Sequence, residues 1–240
     1  MNLTVIDGNI FLFTFDTQKE LVLSLFRPQE FYESENKKLY NKNFTFFEFL
    51  DENIDNDGNI NYFSFWNGFN IPDIAYLNWL NFNKESLTSY EDVIFQEMKP
   101  YLELEEFYII GTISGDEETI NHEMAHALFK LNKSYRNSVY TITAKFELEH
   151  KHIFNRITKH LKHLGYRHDV IEDEVQAYFS AENEDYLCDE FGINNFNEIR
   201  PIVEQYRNTL RQYNVNLITE LTNIKQNDII YSNNLTDKYS

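Results

Sequence analysis

The segment from Phe107 to Leu131 constrains the fold more than any other. Phe107 to Ile113 (Phe-Tyr-Ile-Ile-Gly-Thr-Ile) is a run of β-formers. A helix is expected to follow at once. Ser114 and Glu117 have the spacing of a capping box, in which each side chain satisfies a free backbone N–H at a helix start. The helix then runs to about Leu131, with Ala127, Leu128 and Phe129 able to pack it on a core. This strand–helix unit anchors an α+β reading of the chain.

Composition supports a packed core and excludes several functions. Aromatic residues make up 16% of the 240 residues, with 21 Phe and 16 Tyr, so wholesale disorder is ruled out. The formal charge is −18, and phosphate recognition needs clustered Lys and Arg, so nucleic acid is not an expected partner. Adsorption to anionic membranes is disfavoured for the same reason. No stretch approaches about 18 consecutive apolar residues, and no basic region precedes the apolar run of Met1 to Asp7, so neither a membrane span nor a signal peptide is expected. The single cysteine, Cys188, fits a reducing compartment and a cytoplasmic location, with a small apolar filling role. Nothing in the sequence speaks to oligomeric state.

Before residue 107 the chain reads as mixed α/β. Asn9 to Phe15 is a strand after the Asp7-Gly8 turn signal; Asn43 to Leu50 is a strand or a short helix; Asn59 to Trp66 alternates as a strand. Asp73 to Phe82 and Glu91 to Tyr101 have helical spacing. Downstream, Thr143 to Leu164 reads as one long helix closed by Gly165. Asp169 and Glu172 suggest a capping box before a helix from Val170 to about Glu182, and Ile199 to Thr222 carries a last amphipathic helix. The expected organisation is an N-terminal α/β subdomain (1–106), a core (107–225) and a disordered tail (226–240).

The chemistry concentrates in His122-Glu123-Met124-Ala125-His126. Residues four apart share a helix face, so His122 and His126 can offer imidazole nitrogens to one ion. Glu123 stands beside them, able to reach a water without being a ligand. This is the HExxH zinc pattern. With 7 histidines in 240 residues, chance gives only about 0.02 such matches. A catalytic zinc takes a third protein ligand and leaves a fourth position open. Glu174 is the leading candidate, because Ala177 and Tyr178 share its helical face: Ala177 permits close helix approach and Tyr178 stands one turn from the ligand. Asp173 is the runner-up, and Glu172 is assigned to the cap.

These elements resemble the zincin metallopeptidases, and within them the gluzincins, which take two His from HExxH and a Glu from a later helix. The resemblance covers Phe107 to about Glu182. The interval from His126 to Glu174 is longer than in thermolysin-like enzymes and nearer that of some toxin-type gluzincins. It implies a zincin-like core of mixed sheet with an edge strand, an active-site helix and a downstream Glu helix. It also implies zinc-dependent hydrolysis of a peptide or protein substrate. Zinc lowers the pKa of water to about 7 and polarises the scissile carbonyl. Glu123 is then the general base, passing the proton to the leaving amine. An oxyanion donor is expected from Tyr166, then His168, with Tyr178 third. In such enzymes the strand before the motif helix is often a sheet edge that binds substrate backbone, which points to Ile110, Gly111 and Thr112. The rival readings are a non-catalytic binding protein on the same scaffold and a zinc hydrolase of a non-peptide amide. Intact Glu123 speaks against the first, since a structural site has no use for a base.

Other signals are weaker. Asn53 to Ile60 resembles the start of a calcium loop, but the twelfth position is Ser64 rather than a bidentate Glu, so a tight turn is expected. His150, His152, His160 and His163 read as a solvated helix face. The aromatic run from Tyr62 to Trp79 reads as core rather than cleft lining.

Overall fold

A computed structural model describes residues 1–214 apart from 35, 56 and 59. The expected tail 226–240, and the end of the last expected helix, lie outside the described residues. The fold is α+β: a four-stranded mixed sheet with helices on both faces.

In chain order the elements are β1 (Asn2–Ile6), β2 (Ile10–Phe15), α1 (Gln18–Glu33), α2 (Phe46–Asn53), β3 (Gly68–Pro72), α3 (Asp73–Asn83) and α4 (Ser89–Met98). Then follow β4 (Tyr108–Ile113), α5 (Glu117–Leu131), α6 (Lys133–Glu149), α7 (Lys151–His163), α8 (Ile171–Ala181), α9 (Glu184–Phe191) and α10, helical over 200–214. No described helix is long and apolar enough to cross a membrane.

The sheet order is β1-β2-β4-β3, with β4 parallel to β2 and antiparallel to β3. Asp7 and Gly8 both take positive φ, and Asn9 N donates to Ile6 O, so Asp-Gly closes a β1–β2 hairpin. Strand alternation splits the core in two. Phe11, Phe13, Phe15, Phe69, Ile71 and Ile109 face α1, α3 and α4; Ile10, Leu12, Tyr108 and Ile110 face α5 and the later helices. Because β4 lies between β2 and β3, the sheet crosses the boundary expected at 106/107, and both halves share one framework. Buried Arg27 on α1 ties to α4 through a two-pronged pair with Glu91, both contacts 2.5 Å. Glu91 also completes the capping box with Thr88.

Several expectations need correction. The strand expected from Asn59 to Trp66 is absent over the described residues 60–66: a 3₁₀ turn occupies Asn61–Ser64, and the aromatic alternation reflects Tyr62 and Phe63 packing on Phe26 and Phe49. The strand comes later, at β3. Asn43 to Leu50 resolves as helix α2, started by a Thr45–Glu48 capping box. Ser114 does not cap α5, because its N–H is still paired to Phe15 O in the sheet; Asp116 caps instead, accepting from Thr119 N. Thr143 to Leu164 is not one helix. The backbone leaves helical angles at His150 (φ −130°, ψ 41°), and the bend lets Phe146 and Phe154 meet at 5.5 Å. Gly165 does follow α7 at φ +100°. The Asp169–Glu172 box does not form, since Asp169 is engaged by Arg167. The turn before Asn61 is built on Asp55, whose carboxylate accepts from Asp57 N and Asn61 Nδ2.

Candidate metal centre

Helices α5 and α8 pack against each other, and Ala125, Ala127 and Ala177 on them are fully buried. His122 and His126 stand one turn apart on α5, and Glu174 reaches them from the first turn of α8. One potential ligand atom from each of the three lies within 4.8 Å of the others, and His126 Nε2 is 3.8 Å from Glu174 Oε1. Ligands around a tetrahedral zinc, at bonds of about 2.0–2.1 Å, are about 3.3–3.5 Å apart. The three groups therefore need only a modest contraction to enclose an ion.

The ring geometry selects which nitrogens remain for a metal. His126 Nδ1 is 3.0 Å from Asp173 Oδ1, and His122 Nδ1 is 3.2 Å from Glu182 Oε1. Each carboxylate engages Nδ1 and leaves Nε2 available, an arrangement that fixes tautomer and ring orientation in metal sites. Asp173, the alternative ligand in the sequence, thus sits behind His126 rather than in the ligand set. Its Oδ1 also accepts from Gln176 Nε2.

The centre is buried and rich in acids. Burial would pull the His126 pKa down, yet the pull of Asp173, and of Glu174 when it is ionised, moves it well above its usual range. Burial pushes Glu174 up to about 8, opposed by His126 and reinforced by Asp173, Glu33 and Glu123. Glu33, at the end of α1, is pushed up to about 7, first by burial, then by Glu123 and Asp173 against the pull of His126. Such a set of imidazoles and desolvated carboxylates could hold a divalent cation.

Glu123 is 7% exposed, and its Oε2 is buried without a hydrogen-bond partner among the described residues. Its other oxygen lies against Gly68 at the start of β3. Tyr178 sets its ring edge-on to His122 at 5.0 Å, and its hydroxyl is 3.2 Å from that of Tyr166. Tyr166 is held protonated by burial and by the nearby Glu174 and Tyr178. His168 is exposed beside Asp169.

The expectation that the strand before the motif helix is a sheet edge needs correction. β4 is paired on both sides, Ile110 and Thr112 are fully buried, and a Cβ on Gly111 would meet Leu25 Cδ1 at 2.1 Å. Gly111 is there for the packing of α1 on the sheet. The edge strand beside α5 is β3. Asp73 N donates to Phe107 O, which makes 73 and 107 a hydrogen-bonded pair and, by alternation, 71–109 and 69–111 as well. The backbone groups of Gly68 and Asn70 therefore face the open edge. A cleft of about 240 Å³ adjoins the centre, walled by Pro72, Tyr108, Tyr32, Phe129 and Asp173.

Sequence reasoning missed Glu33, Glu182 and Gly68. Glu182 lies where the α8 helix was expected to end, and only the return of the chain past α5 gives it a role. No family model matches the chain, and neither do curated proteins or solved structures.

Proposed function

We propose that this protein is a zinc-dependent metallopeptidase with a gluzincin-like centre: His122, His126 and Glu174 as ligands and Glu123 as general base. The observation that carries the reading is the convergence of these three donors with a buried, unpartnered Glu123 oxygen alongside. An idle helix face has no reason to bury a carboxylate oxygen without a donor.

Zinc, when bound, supplies Lewis acidity toward a carbonyl and acidifies water. The chain's own residues do the rest. Glu123 accepts a proton from the attacking water and delivers it to the leaving amine. Asp173 and Glu182 hold the two imidazoles in register. Tyr166, backed by Tyr178, is the donor for the developing oxyanion. Substrate backbone adds to the edge of β3, where the N–H and C=O of Asn70 face outward and Pro72 ends the ladder.

The test is Glu123→Gln with peptide libraries, with and without chelator. The variant should keep about one zinc per chain and the wild-type fold, and lose turnover by about 10²–10⁴-fold. A wild-type protein that holds no zinc, or a variant that still cleaves, overturns the reading.

A further inference from the structure

We propose that Gly68 is a positioning residue for Glu123. The missing side chain at the first residue of β3 is what lets the Glu123 carboxylate rest where a general base must stand. This inference builds on the proposed metallopeptidase reading.

A Cβ built on Gly68 would lie 2.3 Å from Glu123 Oε1 and 3.1 Å from its Cδ. It would also lie 2.6 Å from Thr119 Cγ2. A real Cβ does not come so close to either atom, so any other residue here must displace both the Glu123 carboxylate and the Thr119 methyl, or shift the strand. The backbone of Gly68 carries no positive φ, so conformational freedom is not the reason for glycine. Space is the reason.

Which neighbour yields decides the consequence. Glu123 is anchored on α5 between the two histidines, but its carboxylate is the far end of a flexible side chain. Thr119 is β-branched and its hydroxyl is bound to Asp116 Oδ2 at 2.8 Å, so its methyl is held in place. The carboxylate has the greater freedom to swing away, and the Thr119 methyl or the β3 backbone gives the remaining few tenths of an ångström. The fold absorbs shifts of this size. The chemistry does not, because a misplacement of about 1 Å in a reacting group can cost about 10²-fold. Gly68 therefore walls one side of Glu123 and leaves Oε2, the unpartnered oxygen, as the one free to meet a proton. It also couples the base to the substrate edge: the residue that packs on Glu123 is two positions from Asn70, so one strand would set both backbone and base.

The experiment compares wild type, Gly68→Ala, Glu123→Gln and the double variant, all zinc-loaded. Gly68→Ala should keep wild-type zinc stoichiometry and lower kcat by about 10²-fold, with a smaller change in KM. In the Glu123→Gln background the same change should have no further effect on residual turnover. A second variant, Gly68→Ala with Thr119→Ser, removes the competing methyl and should stay impaired. Independently of any substrate, ¹³Cδ-glutamate NMR, with the Glu123 signal assigned by its loss in Glu123→Gln, should show that signal displaced in Gly68→Ala. A displaced signal with no wild-type cleavage would sink the peptidase reading and leave the positioning role standing. An unmoved signal, wild-type kcat in Gly68→Ala, or an equal loss in the Glu123→Gln background overturns the role of Gly68.

Discussion

Replacing Glu174 and Asp173 one at a time tests whether the first is a metal ligand and the second a ligand's partner, and the two changes should move metal-free stability in opposite directions. Structural zinc sites in small peptides are worth about 10–16 kcal/mol, an upper guide for a three-ligand centre. Shared over three protein ligands, that is about 3–5 kcal/mol each, or roughly 10²–10⁴-fold in affinity for Glu174→Gln. Asp173 touches His126 Nδ1 and lies outside the proposed ligand set, so Asp173→Asn should cost about 10–100-fold in zinc affinity. Without metal the ordering reverses. Keeping Glu174 protonated at pH 7 in the fold, with a pKa of about 8 against 4.5 unfolded, costs about 3 kcal/mol of folding free energy. Glu174→Gln removes that cost, so its chelated form should be at least as stable as wild type. Asp173→Asn strips the buried His126 of its charged partner and should destabilise the chelated form by about 1–3 kcal/mol. Competition with a chromogenic chelator gives the affinities, and urea unfolding in excess chelator gives the stabilities. Equal losses of zinc affinity, or a chelated Glu174→Gln less stable than wild type, would refute the assignment.

The same buried groups set a pH dependence. Glu174, Glu33 and His126 all carry raised pKa values in the fold, so the folded state binds more protons than the unfolded one. Their contribution to metal-free stability is therefore greatest below about pH 4.5 for the two acids and falls as pH rises through about 7 and 8; urea midpoints of chelated protein from pH 5 to 8 should decline, and a flat or rising series contradicts the burial of these groups. Gly111→Ala should destabilise by about 1–3 kcal/mol through its collision with Leu25 while leaving zinc affinity unchanged; a loss of substrate binding alone would restore a substrate role to β4. Arg27→Leu leaves Glu91 charged and buried between α1 and α4 and should cost about 3–5 kcal/mol by urea unfolding, with no effect on metal binding.

What the sequence disclosed and what it hid divide along a physical line. The histidines of α5 and the carboxylate of Glu174 were legible because their relation is local: a four-residue spacing on one helix, and a small-residue face on another. Asp173 and Glu174 could be ranked by the same periodicity. The edge strand could not. Whether β4 is central or peripheral depends on which strands pair with it, and β3 supplies only five residues (Gly-Phe-Asn-Ile-Pro), with glycine first and proline last. Both residues read as turn signals, so the strand beside the centre was passed over in favour of the aromatic run before it. Helix α1 was hidden in a similar way, with Pro28 inside it interrupting the helical pattern. That omission removed Glu33 from view, although it lies close enough to Glu123 and Asp173 to feel their charge. Capping was misread at Ser114 and Asp169 because both motifs were judged without knowing that β2 and Arg167 claim the same groups. A motif therefore points to the candidate donors of such a centre, whereas the residues that pack against them and against Glu123 — Gly68, Glu182 and the second role of Asp173 — come from contacts more than forty positions apart in the chain and are set by the sheet order and the crossing of α5 with α8.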